Sequence, residues 1–389
     1  MDALTPPIPA RSPAAQAVLG AMLRHGPVSR AELSRITGLS KQTTSEVVRV
    51  LLQENWASVH GQVQGTVGRS AVTYTLRHDL AHVLGVDLGG TKLHLALADL
   101  GGRIIGERRE PTHPAGGAAL MEQIGSLADA LLDAAGLQAG ALRAATMGSP
   151  GVFQPATGRI LLAPNIPGLG EMDVSGALAA RLGCSVQIEN DVNLAALGER
   201  WSGCCVDVDT FAFVALGTGI GMGVVDDGRL LRGAGGAAGE IAYLPLGGDP
   251  FDTRFHRLGT LESAVGSAAI LDRYHGAGGA PAPDVRTVFD RLEAGDAAAA
   301  VTLDETARLL AQACMAIRAL LDPGRIVFGG SIGGRPALLD RVRALLDRHM
   351  PEPIPVERSA LGDRAAVMGG IGQAVARLRD ELCGPFHAP

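Results

Sequence analysis

Three segments near the N-terminus carry apolar residues at the spacing of an amphipathic helix. The first begins at Ser12 and ends before a Gly-Pro pair. The second follows Ser29, and the third follows Ser40 and continues to about Glu54; both serines are candidate helix N-caps. A helix, a short helix, a glycine turn and a longer helix, in this order, predict a helix-turn-helix unit.

The third predicted helix has two chemically different faces. Val47, Val48 and Leu51 cluster on one side of the helical wheel, while short or forked polar side chains cluster on the other. Such side chains can enter a DNA major groove and contact base edges or phosphates. An ordinary amphipathic helix with a solvated face stays open as the alternative. The predicted DNA contacts on this helix are Ser40, Lys41, Gln42, Thr43, Ser45 and Arg49.

Two short strand-like segments follow, around 59–63 and 72–76, and a Gly-rich stretch containing Arg69 joins them. They predict a wing whose tip brings Arg69 toward a minor groove, which makes residues 12–77 a winged helix-turn-helix. The first 80 residues have a net charge of about +3, and the rest of the chain about −9. We therefore expect only this N-terminal region, called the head below, to bind a polyanion.

The sequence then changes to apolar and alternating segments, and between two of them lies the hexapeptide DLGGTK. Its position predicts a tight turn between two strands. The glycines let backbone amides approach an anion, Thr91 adds a hydroxyl, Lys92 adds a cation, and Asp87 can hold a hydrated Mg²⁺. A ligand-free hairpin turn is the alternative for this motif alone. The predicted phosphate-site residues of this turn are Asp87, Gly89, Gly90, Thr91 and Lys92.

A second glycine-rich turn follows a predicted strand that ends at Leu216, and another strand comes directly after it. The two turns begin two similar units of three strands and a helix. Much later, a short apolar strand ends in the pair Gly329 and Gly330. Strands that alternate with helices in this way predict an α/β protein.

Composition narrows the class of protein. The 389 residues suffice for two or three domains with a sizeable core. No apolar run reaches the roughly 18 residues of a membrane span, and the N-terminus lacks the layout of a signal peptide, so we expect a cytoplasmic protein. The five scattered cysteines are expected to be free thiols. Residues 1–11 are Pro-rich and are predicted to be a disordered tail.

With six motifs in a fixed order, the chain resembles the ROK family of sugar-responsive repressors and sugar kinases over essentially its whole length. The motifs are DLGGTK at Asp87, NIPG at Asn165, ENDVNLAALGE at Glu189, LGTGIGMG at Leu216, GAGGAAGE at Gly233 and DPGRIVFGGSI at Asp322. The resemblance implies an actin-like (ribonuclease H-like), two-lobed ATPase fold with ATP and sugar between the lobes. The added winged helix is typical of the repressor branch. The expected limits are 12–80 for the head, 81–196 plus about 375–389 for the first lobe, and 197–374 for the second.

The resemblance also implies roles for individual residues. Asp191 would be the general base that takes a proton from the sugar hydroxyl during phosphoryl transfer. The implied sugar contacts are Asn165, Asn190, Asp191, Glu240, Tyr243 and Glu262. The implied ATP contacts are Asp87, Gly89, Gly90, Thr91, Lys92, Gly217, Thr218, Gly219, Gly221, Gly329 and Gly330.

The chain departs from the family pattern at the zinc site. Most members supply one His and three Cys to a structural zinc. Here Tyr243 stands in the His place, Thr260 stands in the last Cys place, and no cysteine lies between them. We therefore expect no zinc and no other bound metal in this region. In the family, the His at this position often also contacts the sugar. Its replacement by Tyr243 is therefore expected to affect which sugar binds and whether the sugar is turned over.

These features lead to a sugar-responsive repressor of carbohydrate-utilisation genes that binds operator DNA as a homodimer or a dimer of dimers. The alternative is an ATP-dependent, hexokinase-type sugar kinase with a DNA-binding arm and Mg-ATP as its cofactor. A sensor that binds nucleotide and sugar without turnover is a third hypothesis. By resemblance alone, xylose and glucose are candidate ligands.

Overall fold

The computed structural model describes residues 12–64, 70–154, 157–161 and 166–383. Three of the sequence predictions therefore lie outside the described residues: the N-terminal tail 1–11, the DNA contact Arg69 and the sugar contact Asn165. Within the described ranges, every helix is too short or too polar to cross a lipid bilayer. The five cysteines are free thiols.

The N-terminal unit is a winged helix, as the sequence predicts. Its elements are α1 Pro13–His25, β1 Val28–Ser29, α2 Arg30–Thr37, α3 Lys41–Gln53, β2 Ala57–Gln64 and β3 Ser70–Leu76. The strands form an antiparallel sheet of order β1-β3-β2.

Both predicted serine caps of this unit are present. The Ser29 hydroxyl accepts a hydrogen bond from the Glu32 amide, and the Glu32 carboxylate accepts one from the Ser29 amide, which completes a capping box. The Ser40 hydroxyl accepts a hydrogen bond from the Thr43 amide at 3.0 Å. These bonds satisfy amides that would otherwise lack a partner where α2 and α3 begin.

The first lobe contains a five-stranded sheet with helices on both faces. Its elements are β4 His82–Leu88, β5 Lys92–Asp99, β6 Ile104–Pro111, α4 Gly117–Ala134, β7 Leu142–Ser149, β8 Val152–Gln154, β9 Arg159–Leu161, α5 Val174–Leu182, β10 Ser185–Asn190 and α6 Asp191–Ser202. The sheet order is β10-β7-β4-β5-β6, while β8 and β9 form a separate hairpin. Strands β4, β5 and β6 form an antiparallel meander, and β7 and β10 run parallel to β4.

The second lobe repeats this topology. Its elements are β11 Phe211–Leu216, β12 Ile220–Asp226, β13 Arg229–Leu230, α7 Thr260–Val265, α8 Ser267–Gly276, α9 Val285–Glu293, α10 Ala297–Leu321, β14 Ile326–Gly329, α11 Pro336–His349 and β15 Val356–Arg358. The order β13-β12-β11-β14-β15 again combines a three-stranded meander with two parallel strands. This repetition confirms the two similar units that the glycine turns predicted.

The last helix, α12 Ala365–Cys383, returns to the first lobe. It packs on β4 and β7 and crosses α6 closely. A Cβ built on Gly369 would lie 1.8 Å from the Leu194 carbonyl oxygen, so the crossing requires a glycine here. The lobe boundary predicted near residue 375 falls inside this helix, because sequence periodicity shows that a face is apolar but not which sheet it covers.

Helix α12 also joins the body to the winged helix. Buried Leu19 and Met22 of α1 belong to the same hydrophobic cluster as Leu378 and Leu382 of α12. The two helices pack directly against each other. The head and the first lobe therefore share one continuous core in this structure.

Candidate functional site

The predicted cofactor contact Asp87 and the predicted general base Asp191 lie at the same edge of the first sheet. In the parallel part of the sheet, Asp87 of β4 is paired in register with Gly148 of β7, and Asn190 of β10 with Ser149. Asp191 follows directly as the first residue of α6. Because carboxyl ends of parallel strands meet at one edge, this arrangement brings Asp87 and Asp191 to the same edge.

Asp87 is in an environment that disfavours its charge. Burial raises its pKa to about 7, the negative charge of Asp191 adds to the shift, and the Lys92 ammonium opposes it. Two neighbouring carboxylates that repel each other fit a divalent cation, which would neutralise both. The residues present therefore fit the Mg²⁺ implied for this edge, and Asp87 would be its ligand.

The first glycine turn is held by its own backbone and by Thr112, the residue that follows β6. The Gly89 amide donates to the Lys92 carbonyl at 2.9 Å, and the Thr112 hydroxyl donates to the Gly89 carbonyl at 2.7 Å. Lys92 Nζ lies 3.1 Å from Asp363 Oδ2. The same carboxylate pairs with Arg109 of β6 at 2.7 Å. Sequence motifs identified neither Asp363 nor Arg109.

Asp191 is half-buried at the start of α6. Burial raises its pKa, a hydrogen bond from the Val192 amide opposes that shift, and the nearby Glu240 carboxylate adds to it. A carboxyl group with a raised pKa is suited to accept a proton near neutral pH. The geometry is compatible with the general-base role that the resemblance implies.

The residues flanking Asp191 have structural partners. Asn190 caps α6, since its Oδ1 accepts hydrogen bonds from the Val192 and Asn193 amides at 3.0 and 3.1 Å. The buried Glu189 carboxylate pairs with Arg232 at 2.7 Å and accepts a hydrogen bond from the Asn193 side chain at 3.0 Å. Glu189 belongs to the first sheet and Arg232 follows β13, so this ion pair ties the two lobes. The sequence did not predict it, and the sugar-binding role of Asn190 stays a prediction.

The second glycine turn is held in place by the side chain of Glu262. Its Oε2 accepts a hydrogen bond from the Ile220 amide at 3.0 Å. A Cβ on Gly219 would lie 2.2 Å from that oxygen, so a larger residue at this position would displace the Glu262 carboxylate. Burial and the charge of Glu240 raise the pKa of Glu262. Glu262 therefore shapes the turn, and its contact with sugar stays a prediction.

The predicted nucleotide residues of the second lobe converge. Gly329 at the end of β14 pairs in register with Ala215 of β11, two residues before Gly217. A Cβ on Gly217 would lie 3.3 Å from Ser331 Oγ, beside Gly330. A Cβ on Gly221 would lie 3.0 Å from the Val192 side chain, so the turn also abuts the first turn of α6. The second glycine turn thus lies beside the helix that carries Asp191.

The predicted zinc region is cross-linked by hydrogen bonds instead of sulfur ligands. The Tyr243 hydroxyl donates to the Arg257 carbonyl at 3.3 Å, and the Thr260 hydroxyl donates to the Leu244 carbonyl at 2.9 Å. Within the part of the chain that the structure describes, no group of three His, Cys, Asp or Glu residues could hold a metal ion on its own. The residues present do not fit a tetrahedral zinc site. Tyr243 is 54% exposed and stays a predicted sugar contact.

The predicted DNA-reading face of α3 is accessible. Lys41, Gln42, Thr43 and Arg49 are exposed, and Ser45 is half-buried. Val48 and Leu51 are buried in the head, which matches the predicted division of faces.

Two of these predicted contacts already have intramolecular partners. The Arg49 guanidinium donates to Glu46 at 3.0 Å and to Gln53 at 2.7 Å. Ser40 serves as the helix cap. Contact with DNA would use the remaining N–H groups of Arg49 or replace these bonds.

Comparison with known proteins identifies both parts of the chain. Residues 83–375 match the ROK family, and residues 12–65 match the MarR family. A xylose repressor of Caldicellulosiruptor bescii is 23% identical over 397 residues, which cover 95% of this chain and 96% of that protein.

Two solved structures match different lengths of the chain. A ROK hexokinase from Thermus thermophilus is 31% identical, with a TM-score of 0.64, and the match covers 77% of this chain and 99% of that one. A ROK family transcriptional regulator described as a homologue of the E. coli MLC protein is 23% identical, with a TM-score of 0.74, and covers 95% of this chain and 96% of its own. The second likeness shows that the whole two-part fold is shared. The chain belongs to the ROK family.

Proposed function

We propose that the protein is a sugar-responsive transcriptional repressor that binds operator DNA through α3 and the wing and a monosaccharide between its lobes. The observation that carries this proposal is the shared core of the winged helix and α12. A head that packs on the body shares side-chain contacts with it, so a rearrangement of the body can shift the head. The resemblance to a xylose repressor over nearly the whole chain supports the same function.

The proposed sugar site lies around Asp191, Glu240 and Glu262. The Glu240 charge raises the pKa of both other carboxyl groups, so Glu240 lies within electrostatic reach of each of them. Carboxylates accept hydrogen bonds from the vicinal hydroxyls of a sugar, and they come here from both lobes. A sugar that bridges the lobes would favour one arrangement of them over another.

Release of DNA requires the sugar to prefer the state that does not bind DNA. A nearly complete switch needs a preference of about 5.5 kcal/mol, or roughly 10⁴-fold in affinity. A homodimer would place two α3 helices on half-sites about one helical turn apart, which predicts a palindromic operator.

The function can be tested with the full-length protein. A binding sequence is first selected from a random DNA library, and its affinity is then measured by fluorescence anisotropy with and without a panel of monosaccharides that includes xylose and glucose. We expect one sugar to weaken DNA binding at least tenfold. Absence of sequence-selective DNA binding, or DNA binding that no sugar of a broad panel alters, would contradict the proposal.

A second candidate function is an ATP-dependent sugar kinase, and the environment of Asp191 favours it. The raised pKa of this half-buried carboxyl group fits a general base, and both glycine turns and Gly329-Gly330 are present. Bound Mg-ATP would supply the phosphoryl group, while Asp191 would hold the sugar proton. A coupled ADP-release assay with the sugar panel should show turnover that Asp191→Asn abolishes; no turnover with any sugar would exclude this function.

A further inference from the structure

A carboxylate from the segment before α12 lies on the cations of the first glycine turn. Asp363 Oδ2 is 3.1 Å from Lys92 Nζ and 2.7 Å from Arg109 Nη1, and its Oδ1 is 3.4 Å from Arg109 Nη2. The three side chains are partly exposed, so water weakens their attraction and another anion can reach them. Asp363 therefore occupies a pair of cations that is accessible to an incoming ligand.

The same charges surround Asp87. Burial and Asp191 raise the pKa of Asp87 most strongly, but Lys92 and Arg109 lower it and Asp363 raises it further. The cation pair therefore lies within electrostatic reach of the carboxylate that fits Mg²⁺. A phosphate group bound to this pair would therefore come within electrostatic reach of Asp87, the residue that would hold Mg²⁺.

Arg109 is fixed to the first glycine turn through β6. It pairs in register with His94 of β5, and Thr112, three residues later, donates its hydroxyl to the Gly89 carbonyl at 2.7 Å. A guanidinium offers a fork of donors that matches phosphate oxygens, and Lys92 adds a point charge.

The backbone around Asp363 has its own anchor. The buried Glu199 carboxylate accepts hydrogen bonds from the Leu361 amide at 3.1 Å and from the Ser359 hydroxyl. The Ser359 hydroxyl in turn accepts one from the Gly362 amide at 2.8 Å. Because these bonds do not involve the Asp363 side chain, a change of that side chain leaves the segment in place.

We propose that Lys92 and Arg109 form one phosphate-binding cation pair, and that Asp363 occupies this pair until the polyphosphate of a nucleoside triphosphate displaces it. The inference rests on the proposed phosphate role of the first glycine turn and adds Arg109 and Asp363 to it. Asp363 competes with the ligand for the same donors, so it lowers nucleotide affinity. A triphosphate wins this competition through its larger charge and its bound Mg²⁺.

Calorimetric titration of the full-length protein with the magnesium complex of AMPPNP tests the competition. Asp363→Asn is expected to tighten binding roughly fivefold, because it removes a competing charge from a partly exposed pair. Arg109→Gln is expected to weaken binding by at least that factor. The matched control is Asp340→Asn on α11, which removes the same charge from an exposed pair with Arg343 at 2.9 Å and should change affinity less than twofold.

A parallel titration with magnesium tripolyphosphate distinguishes the affinity that comes from the phosphate charges from the affinity that comes from the nucleoside. AMPPNP should bind more tightly, because the second glycine turn and Gly329-Gly330 are predicted to hold the rest of the nucleotide. Equal affinities would overturn the assignment to a nucleoside triphosphate.

The inference fails if Asp363→Asn leaves AMPPNP affinity unchanged or weakens it, if Arg109→Gln has no effect, or if none of the variants binds AMPPNP. Anisotropy measurements on the same preparations keep this result separate from the proposed function. Sugar-driven DNA release by a protein that binds no nucleotide would overturn this inference alone. The predicted affinity changes in a protein whose DNA binding ignores sugar would support the inference and contradict the repressor function.

Discussion

Asp87 shows how a desolvated carboxylate can cost folding stability. Its folded-state pKa of about 7 lies well above the value near 3.9 expected in an unfolded chain. Between these values the folded state binds more protons than the unfolded state, so this group lowers the free energy of unfolding as pH rises from about 4 to 7. Below pH 4 the carboxyl group is neutral in both states and has no such effect.

The variant Asp87→Asn should therefore be more stable than the wild type at pH 8, by about 1–3 kcal/mol, and nearly equal to it at pH 4. Urea denaturation at both pH values, without Mg²⁺, measures the difference. The exposed control Asp340→Asn should show no comparable pH-dependent gain. A gain for Asp87→Asn that is the same at pH 4 and pH 8 would show that desolvation of the charge is not its cause.

At the residue scale, the sequence predicts hydrogen bonds between residues that are close in the chain, but not pairs of residues that are far apart in it. The caps Ser29 and Ser40 follow from the backbone needs of the helices that they begin. By contrast, Glu189 and Arg232 are 43 residues apart, and Lys92 and Asp363 are 271 apart. No periodicity links such positions, so only the folded chain reveals these pairs. The hydrogen bond from the Ile220 amide to Glu262 was missed for the same reason.

The next prediction concerns α3, the proposed recognition helix. Lys41→Ala and Arg49→Ala should each weaken operator binding by about 1–3 kcal/mol. If Lys41 contacts a phosphate, its loss should also reduce the slope of log affinity against log salt concentration by about one. Anisotropy titrations over a range of salt concentrations measure both quantities.

Arg348→Ala provides the matched control, because this exposed arginine lies on α11 of the second lobe. It should leave operator affinity and its salt dependence unchanged. Unchanged affinity in both α3 variants would show that another surface reads the DNA.

The crossing of α12 and α6 gives a prediction about packing. Gly369→Ala would place a methyl group 1.8 Å from the Leu194 carbonyl oxygen, so the two helices would have to separate. Overpacking of this kind costs about 1–3 kcal/mol of stability. Thermal unfolding should show the loss.

Gly276→Ala at the end of α8 is the control for this substitution, because a Cβ there meets nothing within 4 Å. It should leave stability unchanged or raise it slightly. If Gly369→Ala unfolds at the same temperature as this control, the close helix crossing is wrong.

At the element scale, the sequence predicted the winged helix and the two repeated α/β units, because apolar periodicity and glycine turns are local signals. It did not predict the position of α12. A long helix with an apolar face can cover either sheet, and the choice depends on the glycines that let α12 approach α6 and β4.

For the whole molecule, α12 connects the two regions on which the proposed function depends. Asp363, just before this helix, contacts the first glycine turn, and Cys383 at its end lies against α1 of the winged helix. Its 19 residues span about 28 Å. A shift of this helix when the lobes rearrange would be transmitted to the head without any flexible linker.

In the proposed function, sugar binding and DNA binding oppose each other. Linkage requires the effect to be reciprocal: a sugar that weakens operator binding must itself bind more weakly to the operator complex, by the same factor. The most direct measurement is a calorimetric titration of that sugar into the free protein and into the protein saturated with operator DNA. We predict at least tenfold weaker sugar binding in the complex. Equal sugar affinities in the two titrations would contradict the account.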